Sequence, residues 1–295
     1  MSKTARTNII LVIITIIVAF FAAFFAIRSD RLLSHKYMGV GHSANIPTLY
    51  VHGLGGSRRS TNHLATIASR DGGHRTLTVI VKKDGHIQYK GSLKPNVRKP
   101  IVQVIFQKRY TPVEQQVNWF HKVLLTLKHK YHVHSYNAVG HSTGAVTILE
   151  TVSKYNHKHG HKIPRLRRFV SIAGPYDGIL RLNDIANENY VNYKGQPVIY
   201  KPANKWFPAY STLVKDAKHF PKGVSVLNIY GNSNRHTNSD GVVSVASAKS
   251  LKYLIYKRTR NYEEIPVYGY NGQHSRLHHN IFVDHIIARF IFDEN

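Results

Sequence analysis

The sequence predicts an α/β fold, a mostly parallel sheet with helices on both of its faces. Three observations carry that expectation. From Ile46 onward, short apolar runs rich in β-branched residues alternate with longer segments of helical spacing. Two of the runs end directly in glycine-rich turns, the usual punctuation between a strand and a helix. No internal repeat divides the chain, so one large sheet accounts for its length.

The elements follow in order. Residues 1–7 read as a cytoplasmic tail. Residues 8–27 (NIILVIITIIVAFFAAFFAI) carry no charge. Twenty helical residues span about 30 Å, the thickness of a bilayer's hydrocarbon core. The run exceeds a typical signal-peptide core and no clear A-x-A site follows, so an uncleaved anchor is expected over a removed signal. Basic residues flank it on both sides (Lys3, Arg6, Arg28, Arg31), so charge orients it only weakly. A short tail inside and an extracellular C-terminal domain is the expected topology. Residues 28–45 read as a tether, and 46–295 as the folded domain.

Within that domain, Thr48–His52 reads as a buried strand and Ser60–Ser69 as a helix. Thr76–Lys82 and Ile101–Gln107 read as strands, with a hairpin excursion expected at Asp84-Gly85. Val117, Phe120, Val123, Leu124 and Leu127 give Val113–Lys130 the stripe of an amphipathic helix. Val133–Val139, Arg168–Ala173 and Val224–Tyr230 read as strands, and Thr143–Tyr155 and Val283–Phe292 as helices. Residues 178–222, rich in Asn, Tyr, Lys and Pro, interrupt the alternation and read as a lid-like insertion.

Gly140-His141-Ser142-Thr143-Gly144 matches G-x-S-x-G with a strand running in and a helix running out. That setting puts a serine hydroxyl on a tight, exposed turn, ready to act as a nucleophile. A glycine-flanked helix cap is the plainer reading of the same residues. His52-Gly53-Leu54-Gly55-Gly56 follows the first strand, where backbone N–H groups of Leu54 and of Thr143 would face an oxyanion. A phosphate cradle is the rival, but neither G-x-x-x-x-G-K-[ST] nor G-x-G-x-x-G is present.

The acid follows largely by elimination. Glu150 faces away within its helix, Asp184, Glu188 and Asp216 fall in the insertion, and Glu263 and Glu264 read as a solvated pair. Asp177, just past a strand, stays open, while Asp240 lies in Asn238-Ser239-Asp240-Gly241-Val242 after a late strand and is preferred. A plain Asp-Gly turn would account for it too. Among the histidines after Asp240, His274 is preferred as base, with His278 as its rival one turn on.

These segments resemble the α/β-hydrolase superfamily, in particular small bacterial lipases with H-G-[IL]-G-G and G-H-S-x-G. They are most similar to a surface-located hydrolase family of Gram-positive bacteria that shares H-G-L-G-G, G-H-S-x-G, S-D-G-x-V and H-S-x-L-H. The resemblance runs over roughly residues 46 to 292 and implies an α/β-hydrolase fold with Ser142, Asp240 and His274 as a triad. Ser171-Ile172-Ala173-Gly174-Pro175 departs from it where Thr-Pro is usual. An ester, of a lipid or a short acyl group, is the expected substrate because an alkoxide leaves more easily than an amine, and no cofactor is expected, with acyl transfer to another acceptor or a non-catalytic surface-binding role as alternatives.

Composition narrows the partners. Lys and Arg number 41 against 15 Asp and Glu, a formal net charge of +26, which favours anionic lipid or an anionic cell-wall polymer. No nucleic-acid partner is expected, because the cations alternate with no base-stacking motif. The absence of cysteine excludes disulfides, thiolate catalysis and cysteine-held metals. His157-Lys158-His159-Gly160-His161 reads as a basic loop, and His132 with His134 as structural; no H-E-x-x-H supports a metal at His274 and His278. Tyr190, Tyr193, Tyr200, Trp206, Phe207 and Tyr210 either line an acyl pocket under the lid or pack the insertion onto the sheet.

Overall fold

The computed structural model describes residues 46–94, 96–158, 163–234 and 236–292. The expected tail, span and tether lie outside these, as does most of the His157–His161 loop. Among the described residues no helix is long and apolar enough to cross a membrane.

One eight-stranded sheet organises the domain. Its strands are β1 (Thr48–Val51), β2 (His74–Val81), β3 (Ile87–Gly91), β4 (Pro100–Phe106), β5 (Ser135–His141), β6 (Arg165–Ile172), β7 (Val224–Asn232) and β8 (Thr259–Tyr268). Their order is β3-β2-β4-β1-β5-β6-β7-β8. Neighbours run parallel except β2 and β3, which form a hairpin. The turn expected at Asp84-Gly85 is therefore real, but its second arm is Ile87–Gly91; Ile101–Phe106 instead pairs with β2 in parallel.

The interior strands are buried along nearly their whole length because both faces are covered. The helices are α1 (Arg58–Arg70), α2 (Val113–Lys130), α3 (Thr143–Lys158), α4 (Tyr210–Asp216), α5 (Val245–Lys249), α6 (Leu251–Ile255) and α7 (Ile281–Phe292). Leu49, Val51, Val102 and Val104 join the apolar stripe of α2 and the buried face of α3 in one core. On the alternate face, Gln103 Nε2 donates to Thr61 of α1 at 3.0 Å. Each fully buried Leu, Val or Phe of the α2 stripe contributes about 1.5–3 kcal/mol.

β1 sits between β4 and β5, so the chain leaves it to one side and later returns to the other. The carboxyl ends of β1 and β5 then bound a crevice, the place where open α/β sheets bind ligands.

The insertion divides. Residues 173–209 are irregular, with isolated bridges Leu180–Asp184 and Val191–Pro197. From Tyr210 the chain is core, and Tyr210, Leu213, Ala217 and Phe220 are buried. The lid-like part is thus shorter than the expected 178–222. Its aromatic residues split accordingly: Phe207 and Tyr210 pack inside, while Tyr190 and Tyr193 are exposed. His132 and His134 precede β5.

Candidate active site

β5 runs straight into Ser142, and α3 begins at the next residue. Ser142 has φ 55°, a left-handed conformation that costs a non-glycine residue of order 1–3 kcal/mol and persists only where its surroundings hold it. They do. The Ser142 N–H donates to Ile172 O at 2.8 Å, and its carbonyl accepts from Ala145 N at 2.9 Å. Two glycines let neighbours close on the turn. A Cβ on Gly144 would lie 2.5 Å from Val51 O, and one on Gly53 would lie 2.7 Å from Ser142 Cβ. The His52–Gly56 turn after β1 therefore rests directly on Ser142.

That turn is itself fixed. Buried His52 accepts at Nε2 from Phe106 N at 3.0 Å, which leaves Nδ1 protonated to donate to Gly53 O at 2.8 Å. Burial pushes its pKa down, in keeping with a neutral ring. Gly55 N donates to Arg109 O at 2.8 Å, and the Arg109 guanidinium in turn donates to Gly55 O. Leu54 lies between these anchored residues. The Thr143 amide heads α3, and a helix's leading N–H groups have no intrahelical partner.

Asp240 and His274 come from the loops after β7 and β8. Asp240 Oδ2 lies 2.7 Å from His274 Nδ1, and His274 N donates to Asp240 O at 2.9 Å. The other carboxylate oxygen accepts from Val242 N at 2.9 Å and Val243 N at 2.7 Å. Asp240 is almost fully buried. With the carboxylate ionised it can only accept, so Nδ1 carries the proton and Nε2 is left free as a base.

His141 joins the two halves. Its ring Nε2 lies 3.1 Å from the carbonyl oxygen of His274, so the residue before Ser142 donates to the loop that carries the imidazole. His278, the rival base, packs edge-on against His141 with centroids 4.3 Å apart. Burial pushes its pKa down to about 4, and its buried Nδ1 meets no hydrogen-bond partner among the described residues. The carboxylate is therefore paired with His274.

Asp177, the acid left open, belongs elsewhere. Its oxygens accept from Lys201 N and Asn189 Nδ2, both at 2.8 Å, and burial raises its pKa to about 6. Lys201, itself buried, lies 3.3 Å from Asp184 Oδ1 and contacts Glu188, while Ser244 Oγ donates to Asp184 Oδ2 at 2.6 Å. These residues fasten the insertion to the loop after β7. Glu150 is buried in an ion pair with Lys154 at 2.9 Å, and Asp216 lies 4.0 Å from the same lysine. Glu263 and Glu264 sit half-buried on β8 rather than as a solvated pair. The supporting roles of His52, Arg109, His141 and Lys201 carry no signal of their own in the sequence, although both histidines stand inside the motifs themselves.

A cavity of about 400 Å³ opens beside Asp240, with Leu180, Arg181 and Ile185 of the insertion facing Ser239, Gly241 and Gln273. None of the insertion's six aromatic residues, read either as an acyl pocket or as packing onto the sheet, lines it. Among the described residues no group of His, Asp or Glu is arranged to hold a metal.

Sheet order, strand–turn–helix serine and late Asp–His loops together define an α/β hydrolase. Residues 35–294 match the family described as alpha/beta hydrolase of unknown function (DUF915), and the chain belongs to that family. The product of a Listeria innocua gene superposes with a TM-score of 0.70 at 20% identity, over 85% of this chain and 95% of its own. A Lactobacillus plantarum WCFS1 protein, provisionally described as a cell surface hydrolase, superposes at 0.68 and 23% identity, over 86% and 94%. At these identities the likeness is one of fold. No curated protein matches the chain in sequence.

Proposed function

We propose that the protein is a serine hydrolase that cleaves carboxylic esters through an acyl-enzyme on Ser142. His274 Nε2 takes the hydroxyl proton as Ser142 Oγ attacks the ester carbonyl. Asp240 keeps Nδ1 protonated and stabilises the imidazolium. The N–H groups of Leu54 and Thr143 receive the developing oxyanion. The imidazolium then gives its proton to the departing alkoxide, and the same base activates water to release the acyl group. The observation that carries this reading is the 3.1 Å contact from His141 to the His274 carbonyl, which ties the Asp240–His274 loops to the serine turn. An ester is preferred to an amide because an alkoxide leaves more readily, and because this scaffold commonly serves esterases by analogy.

The test is hydrolysis of p-nitrophenyl esters of graded chain length by the full chain beside Ser142→Ala and Asp240→Asn. Turnover is expected to vanish in the first and to fall by on the order of 10⁴ in kcat in the second. No turnover by the unaltered chain, with no labelling of Ser142 by a fluorophosphonate, would sink the mechanism. Residues 8–27 are proposed to hold the domain at the outer face of the cell membrane. Protease added to intact cells should then remove the domain.

A further inference from the structure

Thirteen large hydrophobic side chains stand exposed among the described residues, and their placement is one-sided. One follows β4, seven follow β6, one follows β7, and four end or follow β8. All follow the carboxyl ends of parallel strands, the edge that carries Ser142, though Tyr193 lies back against α6, where its carbonyl accepts from Lys252 Nζ at 3.1 Å. The connections at the opposite edge contribute none among the described residues. Ile281 and Phe282, side by side at the start of α7, are 57% and 60% exposed.

Charge is sorted on the same segments. Lys108, Arg109, Arg181 and Lys205 are exposed. The acids of these segments are mostly withdrawn: Asp177, Asp184 and Asp240 are buried, and Glu188, though exposed, is paired with Lys201. The outward charge of this edge is therefore positive. Cations also sit on its aromatic rings, with Lys205 4.9 Å from Trp206 and Arg276 3.4 Å from Tyr270. An amphipathic ring beside a cation is the pairing that sits at the headgroup level of a bilayer.

We propose that this apolar and cationic collar docks onto an anionic phospholipid bilayer. Aliphatic and aromatic side chains enter the acyl boundary while Lys and Arg meet headgroup phosphates. A hydrated polyanion of the cell wall would be served by the cations alone and would leave Ile281 and Phe282 without a partner, which favours lipid. Docking turns the mouth of the crevice toward the membrane. The inference stands apart from the ester-hydrolase reading, since it rests on surface residues outside the catalytic set.

The test places a single tryptophan reporter in the full chain at each edge, in a Trp119→Phe, Trp206→Phe background that removes both native tryptophans, with Phe282→Trp at the collar and Tyr256→Trp at the opposite edge. Both are reconstituted into vesicles of brominated phosphatidylglycerol or brominated phosphatidylcholine at about 0.15 M ionic strength. Loss and blue shift of emission are expected for Phe282→Trp in the anionic vesicles only, with Tyr256→Trp unchanged although it shares the same N-terminal segment. Adding Ile281→Ser to the collar reporter should reduce the quenching, with turnover of a soluble ester unaffected. Equal quenching at both edges, or in both lipids, overturns the assignment. So does quenching absent from vesicles together with tight binding of a soluble polyglycerol phosphate, which would make the surface a polymer-binding one.

Discussion

His141 Nε2 lies 3.1 Å from the carbonyl oxygen of His274. A carbonyl only accepts, so His141 must carry its proton on Nε2. Burial, with the adjacent His274 and His278 rings, holds its pKa well below the ordinary histidine range, and it stays neutral. His141→Phe keeps the ring's volume and removes the donor. The expected result is a loss of about tenfold in kcat with KM little changed, because the base is less firmly aimed. Steady-state kinetics on a soluble ester read the split, and circular dichroism checks that the fold is intact.

The left-handed backbone of Ser142 makes a second expectation. Ser142→Ala and Ser142→Gly both remove the hydroxyl, yet only glycine adopts φ near 55° without cost. The glycine variant should be more stable than the alanine variant by about 1 kcal/mol, in urea unfolding of both. A serine free of strain would leave the two indistinguishable.

Lys201 is a buried ammonium among Asp184 and Glu188. Removing one partner of such a cluster leaves uncompensated charge, which typically costs about 3–5 kcal/mol. Lys201→Met should therefore lower the melting temperature and expose the 173–209 segment to limited proteolysis. Because Asp177 also takes the Lys201 backbone N–H, which methionine retains, cleavage should concentrate near Asp184–Glu188 rather than throughout.

Asp284 couples stability to pH. It is buried on α7 against His63 of α1, and burial raises its carboxyl pKa from 3.8 to about 7. The folded state thus holds a proton that the unfolded chain has released, so stability declines as pH rises from about 4 through about 7. The decline from this group is on the order of 4 kcal/mol, since each tenfold change in proton affinity is worth about 1.4 kcal/mol. Denaturation midpoints between pH 5 and 8 should fall less for Asp284→Asn than for the unaltered chain.

The parts legible from sequence were those with a local signature. The α2 stripe recurs at helical spacing and its bounds, Val113–Lys130, coincide with the observed helix. β8 had no such signature. As an edge strand bonded only to β7, it tolerates Glu263, Glu264 and even Pro266, and its polar composition hid it. The motif serine was readable because strand, turn and helix are contiguous. Choosing between His274 and His278 was not readable from their spacing, since both lie within reach of one loop and only the fold decides which meets Asp240. His63 and Asp284 are separated by 221 positions, and nothing near either announces the other.

The strand order also sets the sequence in which the site can be assembled. Ser142, its supporting turn and β4–β1–β5 lie in the first half of the chain, and the imidazole and its carboxylate arrive from the second. The last helix is pinned late as well, with Arg168 of β6 donating to the carbonyls of Phe290 and Ile291 at 2.6 and 2.7 Å. On the proposed mechanism, a chain still emerging from the ribosome thus carries its serine without a base. It is inert toward cellular esters until its final residues dock.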